Sequence, residues 1–399
     1  MNDEKRKGIA VIAHSGGPTP VINASLLGVA EEARRHPQIT GLYGAQFGIA
    51  GILRQEFLDL SRQPAGLLNK VARTPSSALG SSRHEVLPAD LQTVLDVFRA
   101  HKVRYFFYTG GNGSMGTARQ LQIAAEQNRY DLQIVGIPKT IDNDLTHTDH
   151  TPGYASTARF FAHAVRDINA DNRALPNQVE FIEVLGRNVG WLAAATSLAR
   201  DQEDDAPHLI YFPENPLPAE KLLDEVAAVY RRLRRCVVVV CEGQLDENRE
   251  PFGADVRSGS RGSLAMNLAH RLALLVSKRL QLRARSEKPG LHGRATSAYI
   301  SDTDWNESHL CGRHAVKAAI EGQSGTMITL LRQQSAVYSV STGLVELEKV
   351  AFTERLFPSE WINPQNNGVL PPFRDYIAPL VGPIEPHPRF LEYSIPKVT

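Results

Sequence analysis

The sequence predicts an α/β protein built on parallel sheets with helices on both faces. Three observations carry that expectation. Short apolar runs alternate with amphipathic segments almost from end to end, which is the rhythm of βαβ units. Several of those runs, such as Val237-Val238-Val239-Val240, hold no polar residue and read as strands buried on both faces. Glycine pairs stand where strands hand over to helices, at the end of a parallel sheet where ligands bind. With 399 residues the chain is long enough for two domains and a sizeable core.

The elements follow in order. Residues 9–13 form a first apolar strand, ending in Ala13-His14-Ser15-Gly16-Gly17-Pro18, with a helix predicted over 21–36. A strand over 41–47 precedes a helix over 89–100, then a buried strand at 105–108 leads into Gly110-Gly111-Asn112-Gly113-Ser114. A helix over 117–127 and a strand over 133–137 follow, the latter running into Pro138-Lys139-Thr140-Ile141-Asp142-Asn143-Asp144. A domain boundary is expected at 149–154, where Pro152-Gly153 interrupts the pattern. Beyond it, helices are predicted at 156–169, 190–199, 219–234, 263–280 and 307–321, and strands at 179–183, 208–211 and 237–241. The tail from Phe357 is rich in Pro, Asn and Gly. Trp361, Tyr376 and Phe390 are spaced there as docking points, so it should wrap the body, aromatic burial offsetting the entropy of ordering loop. No internal repeat or low-complexity tract is present.

Composition narrows the function classes. Lys and Arg total 44 against 43 acidic residues, so net charge argues neither for nor against a nucleic-acid partner. Basic clusters at 231–235 and 279–285 are interleaved with Leu at helical spacing and read as a solvated or phosphate-facing surface. Cys236, Cys241 and Cys311 lack zinc-like pairing and read as buried thiols of a reducing cytoplasm. The N-terminal run Met1-Asn2-Asp3-Glu4-Lys5-Arg6-Lys7 is too charged for a signal peptide, and no apolar run approaches bilayer length. A soluble cytoplasmic protein is the expectation.

The chemistry lies in three strand-end turns. The first, at Gly16-Gly17, is weak alone, being equally compatible with an ordinary βα turn. The second, Gly110 to Ser114, offers bare backbone N–H groups and a helix N-terminus to a polyanion. The third puts a lysine, a threonine and two carboxylates on one short turn. Asp142 and Asp144, two residues apart, can face one side: one accepts the proton of an attacking hydroxyl, the other orients Mg²⁺ or the sugar. Capping aspartates in an Asx-turn are the bland alternative. Lys139 and Thr140 beside them, with a phosphate cradle upstream, favour phosphoryl transfer to a hydroxyl by a sugar-phosphate kinase.

From these motifs outward the chain resembles a phosphofructokinase. Further matching segments are Thr74-Pro75-Ser76-Ser77-Ala78-Leu79-Gly80-Ser81-Ser82-Arg83, Thr148-Asp149-His150-Thr151-Pro152-Gly153, Glu183-Val184-Leu185-Gly186-Arg187, Gly190-Trp191, Glu242-Gly243 and Arg294. The chain length and the Pro-Lys-Thr-Ile-Asp-Asn-Asp form are similar to the group that contains the pyrophosphate-dependent enzymes. The resemblance implies two similar Rossmann-like parallel-sheet domains with the active site in the cleft between them. It places a phosphoryl-donor domain at 1–153 plus about 286–340, and a fructose 6-phosphate domain at about 154–285 plus 341–399. It also implies Mg²⁺ and a homodimer or homotetramer. Carried onto this chain, Asp142 is the general base, Asp144 holds the sugar or the metal arrangement, and Thr140, Lys139 and Arg187 meet the transferred group. Gly186 and Glu242 contact fructose, while Arg294 and Arg285 clamp its 6-phosphate through their planar donor forks. Gly16, Gly17, Arg83, Gly111, Gly113 and Ser114 line the donor.

Departures from the family pattern are informative. The metal-binding aspartate is Asn112 here, an uncharged ligand. Gln178 stands where relatives place an arginine reaching into a neighbour's site, and Leu185 replaces the usual Met. Pyrophosphate enzymes usually carry acidic residues at the positions of Gly113 and Gly116; glycine there opens room and relieves repulsion for a triphosphate. Lys139 points the other way. On this balance the expected donor is ATP, with pyrophosphate the alternative and a non-catalytic sugar-phosphate-binding subunit a remote one. A NAD or lipid kinase shares the glycine cradle but is not expected to carry 138–144 together with 183–187.

Overall fold

The computed structural model describes residues 7–252, 256–259, 262–335, 337–391, 393 and 395, with backbone alone at 256–259 and 262–265. All but the last residue of the charged N-terminal run lies outside them. The first domain begins with β1 (Gly8–His14), α1 (Ile22–Ala33), β2 (Ile39–Ala45), α2 (Gly48–Leu53), β3 (Phe57–Asp59), α3 (Ala65–Val71) and α4 (Pro88–Ala100). It continues through β4 (Val103–Gly110), α5 (Asn112–Gln127) and β5 (Gln133–Pro138). The second domain holds α6 (Tyr154–Ala174), β6 (Val179–Val184), α7 (Trp191–Ala195), β7 (Leu209–Ile210), α8 (Ala219–Leu233) and β8 (Cys236–Cys241). A hairpin of β9 (Val256–Gly259) and β10 (Gly262–Ala265), then α9 (Leu268–Leu280), β11 (Ala284–Glu287) and α10 (His292–Ala295), complete its first pass. The chain returns to the first domain with α11 (Asp302–Ile320), β12 (Thr326–Arg332), β13 (Val340–Glu346) and α12 (Leu347–Val350), and ends on the second with α13 (Pro371–Val381).

The first sheet has the order β13-β12-β5-β4-β1-β2-β3, five parallel strands with an antiparallel strand at each edge. In β1, Ala10 and Ile12 face the core under α1 and α11, while Val11 and Ala13 face that under α2, α4 and α5. Burial on both faces is why this strand reads as a continuous apolar run. The second sheet, β11-β6-β8-β7, is wholly parallel, with α6, α7 and α13 on one face and α8 and α9 on the other. Two α/β domains of this kind match the predicted architecture.

Three expectations need adjusting. Residues 340–346 form the edge strand of the first sheet, so the expected transfer to the second domain at 341 comes too early. Residues 263–265 belong to a hairpin, and the helix predicted from 263 begins at Leu268. The tail does wrap: Phe357, Trp361, Phe373 and Tyr376 gather around Trp191, with ring centroids 5.1, 5.9, 6.5 and 5.6 Å from it. Phe390, however, is fully exposed among the described residues.

Helices α1 and α11 approach nearly backbone to backbone. A Cβ on Gly28 would overlap the His309 carbonyl oxygen, and one on Gly312 the Ser25 carbonyl oxygen. The Ser25 hydroxyl donates to the Ser308 carbonyl at 3.0 Å across the same seam. Because rigid helix backbone opposes the added methyls, Gly28→Val is expected to cost about 3 kcal/mol, the upper range for overpacking. A shift of the urea midpoint at unchanged m-value measures it.

Candidate active site

In the first sheet, β2 lies on one side of β1 and β4 on the other, so the chain changes direction between β1 and β4 and opens a crevice at their carboxyl ends. Both glycine turns fall there. Ser15 N–H donates to Thr109 O at 2.8 Å and Gly16 N–H to Ser82 O at 3.0 Å, with Gly16 at φ +80°. The Ser81 hydroxyl returns to Gly16 O at 2.7 Å, tying the 76–83 loop, and so Arg83, to this turn. Beneath them His14 is wholly buried. Ser77 gives its proton to Gly80 O at 2.6 Å, so it accepts from His14 Nδ1–H at 2.8 Å. Burial, reinforced by the nearby Lys139 charge, lowers the His14 pKa to about 3, and a neutral ring braces the loop.

Facing Gly16-Gly17, α5 starts at Gly111 and turns its first N–H groups into the crevice. A Cβ at Gly110 would overlap the Ser114 side chain, so the strand meets the helix this closely only through glycine. The buried Lys139 donates from Nζ to Gly17 O at 2.8 Å, and its nitrogen would stand 3.2 Å from a Cβ on Gly16. Lys139 N–H extends the ladder past the end of β5 to Gly110 O at 3.0 Å.

The aspartate turn is held from both domains. Ile141 is buried in the second domain's core, beside Tyr154 and Trp191. Asp142 N–H donates to Thr140 Oγ1 at 3.1 Å. Asn143 adopts a left-handed φ of +57°; its amide donates to Tyr376 Oη at 3.0 Å, and its carbonyl oxygen Oδ1 accepts Thr151 N–H at 3.0 Å. Arg355 secures the backbone of the turn. Its Nη2 donates to Asn143 O at 2.9 Å, and its Nη1 to Thr148 O at 2.8 Å and Asp149 O at 2.9 Å. Asn112 Nδ2 donates to Asp144 Oδ2 at 3.0 Å. Burial raises the Asp144 pKa; the Thr140 hydroxyl pulls it back, Glu354 pushes it further up, and Arg355 pulls it down.

The second domain supplies the opposite wall. Gly186, at φ +111°, follows β6, and Gly243 packs so tightly on Arg187 that a Cβ would overlap the Arg187 carbonyl. Glu242 N–H bonds Val184 O at 3.0 Å. Burial raises the Glu242 pKa, and Lys288, Arg187 and Arg294 oppose the rise while Glu183 adds to it. Glu242 therefore shares one electrostatic neighbourhood with both arginines. Arg294, on α10, crosses to the first domain: its Nη1 would lie 2.8 Å from a Cβ on Gly17.

Gly16, Gly17, Gly111, Lys139, Thr140, Asp144, Asn112, Glu242, Arg187 and Arg294 are thus linked by contacts or fields across one crevice. Gly113 lines its open side, where a Cβ would meet nothing within 4 Å. Arg285 is the exception. The parallel register sets it beside Glu180, near the amino end of β6 and away from Gly186, so it is not part of this cleft. Gln178 is buried and does not reach outward.

Residues 352–357, which sequence reasoning passed over, form a strap along the crevice. Arg355 N–H donates to Asp144 O at 2.7 Å, Leu145 and Glu354 form a bridge, and Glu354 accepts Asn188 Nδ2 at 3.1 Å beside the Arg187 loop. At the strap's start the Phe352 ring packs on Gly116. The space that glycine was expected to leave open is filled.

Residues 9–319 match the family described as "Phosphofructokinase". The chain belongs to the phosphofructokinase family. A relative named pyrophosphate--fructose 6-phosphate 1-phosphotransferase, from Rhodospirillum rubrum, is 39% identical over 385 residues, covering 94% of this chain and 95% of the relative. One of the same name from Xanthomonas campestris is 35% identical, covering 94% and 91%. A crystal structure titled pyrophosphate-dependent phosphofructokinase, from Marinobacter aquaeolei, superposes with a TM-score of 0.86 at 35% identity, covering 96% of this chain and 93% of that one.

Within this phosphofructokinase, Asn112 Oδ1 and Asp144 Oδ1 are buried and lack hydrogen-bond partners among the described residues. Two orphaned oxygens beside a polyphosphate cradle suit a hard divalent cation. Among the described residues no three His, Cys, Asp or Glu side chains come together as a metal cage, so phosphate oxygens would complete the shell. The turn's dependence on Arg355 is testable. A lysine has one ammonium and cannot span three carbonyls, so Arg355→Lys is expected to lower kcat by about 10²-fold through misplacement of the turn. Steady-state kinetics with a thermal melt separate that loss from unfolding.

Proposed function

We propose that this phosphofructokinase transfers a phosphoryl group from inorganic pyrophosphate to the 1-hydroxyl of fructose 6-phosphate, reversibly, as a Mg²⁺-dependent cytoplasmic homo-oligomer. The observation that carries the transfer is the junction of the aspartate turn with the glycine cradle through Lys139, whose backbone continues β5 and whose ammonium reaches Gly17 O. Asp142 accepts the hydroxyl proton as the sugar oxygen bonds to phosphorus. The bond from that phosphorus to the bridging oxygen breaks, and orthophosphate leaves. Lys139, Arg187 and the N-terminus of α5 balance charge on the transferred group, while Glu242 accepts from sugar hydroxyls and Arg294 binds the 6-phosphate. Mg²⁺ on Asn112 and Asp144, when bound, supplies further neutralisation of the donor oxygens.

Pyrophosphate replaces ATP as the favoured donor for three reasons. Relatives matching almost the full chain carry that donor in their names. Lys139 sits buried against Gly16 and Gly17 as a fixed countercharge for a compact polyanion. Gly116, half of the argument for ATP, is covered by Phe352. A coupled assay with fructose 6-phosphate and Mg²⁺ at equal donor concentrations decides the matter: turnover with pyrophosphate is expected, and turnover confined to ATP would reject the reading. Asp142→Ala is expected to lower kcat by about 10³-fold, within the range of general-base loss. Calorimetric binding of fructose 6-phosphate should persist in that variant; undiminished turnover would remove Asp142 from the base role.

A further inference from the structure

We propose that Phe352 is the wall that ends the donor pocket and excludes a nucleoside triphosphate, an inference that rests on the pyrophosphate reading and gives it a structural cause. Around the first turn of α5 the other directions are closed. Asn112 is tied to Asp144, Ser114 is buried against Gly110, and Lys139 covers Gly16 and Gly17. On the Gly113 side a Cβ would meet nothing within 4 Å among the described residues. Gly116 lies three residues on, hence on the same helix face one turn deeper. A donor longer than two phosphates leaves the cradle over this face.

That path runs into an aromatic ring. The far edge of Phe352 points at Gly116: Cε2 and Cε1 would lie 2.7 and 2.9 Å from a Cβ there, with Cζ nearer still. Phe352 is 72% exposed as a residue, so burial alone does not keep the ring in place. The backbone does. Phe352 sits at φ +62°, a conformation a bulky side chain rarely adopts, between two fixed points. Upstream, Ala351 N–H closes α12 on Leu347 O at 2.9 Å, and Thr353 N–H turns back to Val350 O at 3.2 Å. Downstream, Glu354 pairs with Leu145 and Arg355 N–H reaches Asp144 O. The ring offers no cation and no hydrogen-bond donor, so a third phosphate pressed against it would lose hydration without a partner. Pyrophosphate stops short of it. Phe352 thus selects against the longer donor by an unfavourable contact rather than by a better fit to the shorter one.

The test uses the full-length wild type and Phe352→Ala, each assayed for kcat/KM with pyrophosphate, ATP and inorganic tripolyphosphate. The expected result is that both ratios, ATP to pyrophosphate and tripolyphosphate to pyrophosphate, rise by ~10-fold or more in the variant, the scale of discrimination by shape at one pocket wall. A pyrophosphate-dependent wild type whose variant shows unchanged ratios overturns the wall and leaves the donor reading standing. A fall in ATP use would mean that the ring stacks on a nucleobase, and also overturns it. A wild type that prefers ATP removes the donor reading and the wall together. Phe352→Trp, which enlarges the ring at the same exposed position, should lower both ratios further; no change there counts against the wall as well.

Discussion

One constraint underlies the site: the shared register of β1, β4 and β5. Parallel pairing sets His14 opposite Thr109, Thr109 opposite Ile137 and Gly110 opposite Pro138, so three turns distant in sequence leave the sheet at the same level. Two backbone bonds continue the ladder beyond the strands, from Ser15 to Thr109 and from Lys139 to Gly110. Because side chains alternate along a strand, a slip of one residue would turn Lys139 away from Gly17 and into the core. Packing that fixes the register, including the glycine seam of α1 and α11, therefore supports the proposed phosphate site from a distance.

The aspartate turn adds a second demand, since its irregular backbone around the left-handed Asn143 leaves peptide groups that need partners. Four peptide groups around it are satisfied by side chains: Arg355 meets the Asn143, Thr148 and Asp149 carbonyls, Tyr376 also donates to Asp149 O at 2.7 Å, and Asn143 fixes Thr151 N–H. Arg355 also lies 4.6 Å over the Trp191 ring. The aromatic cluster of the C-terminal segment is thus connected to the aspartate turn through the Arg355 guanidinium and the Tyr376 hydroxyl. This explains why a tail poor in regular structure is ordered as far as α13.

Much of this was legible in the sequence, and what was not has a physical reason. Glycine pairs at strand ends and the 138–144 turn are local signals, fixed by what backbone and anions need within a few residues, and they fell where expected. Arg285 was misplaced because its position depends on the register of β11 against β6, a long-range pairing that no local pattern encodes. The strand at 340–346 was passed over because none of its residues is fully buried, which weakens its apolar signature. Gly116 shows a different failure. A glycine was read as vacant space, but it is the socket for a residue far along the chain. Absence of a side chain says nothing about what packs in its place.

Asn112 is best understood through its partner. Asp144 already sits where burial and Glu354 disfavour its charge. A second carboxylate at 112, at the 3.0 Å separation now spanned by a hydrogen bond, would repel it and raise both pKa values. The amide donates to Asp144 Oδ2, while its own oxygen is buried without a hydrogen-bond partner among the described residues. The exchange gives up one negative charge toward a cation in return for an Asp144 that is oriented without metal. A compact, highly charged donor can bring its own metal-binding oxygens, so the site loses least from this exchange when that donor is pyrophosphate.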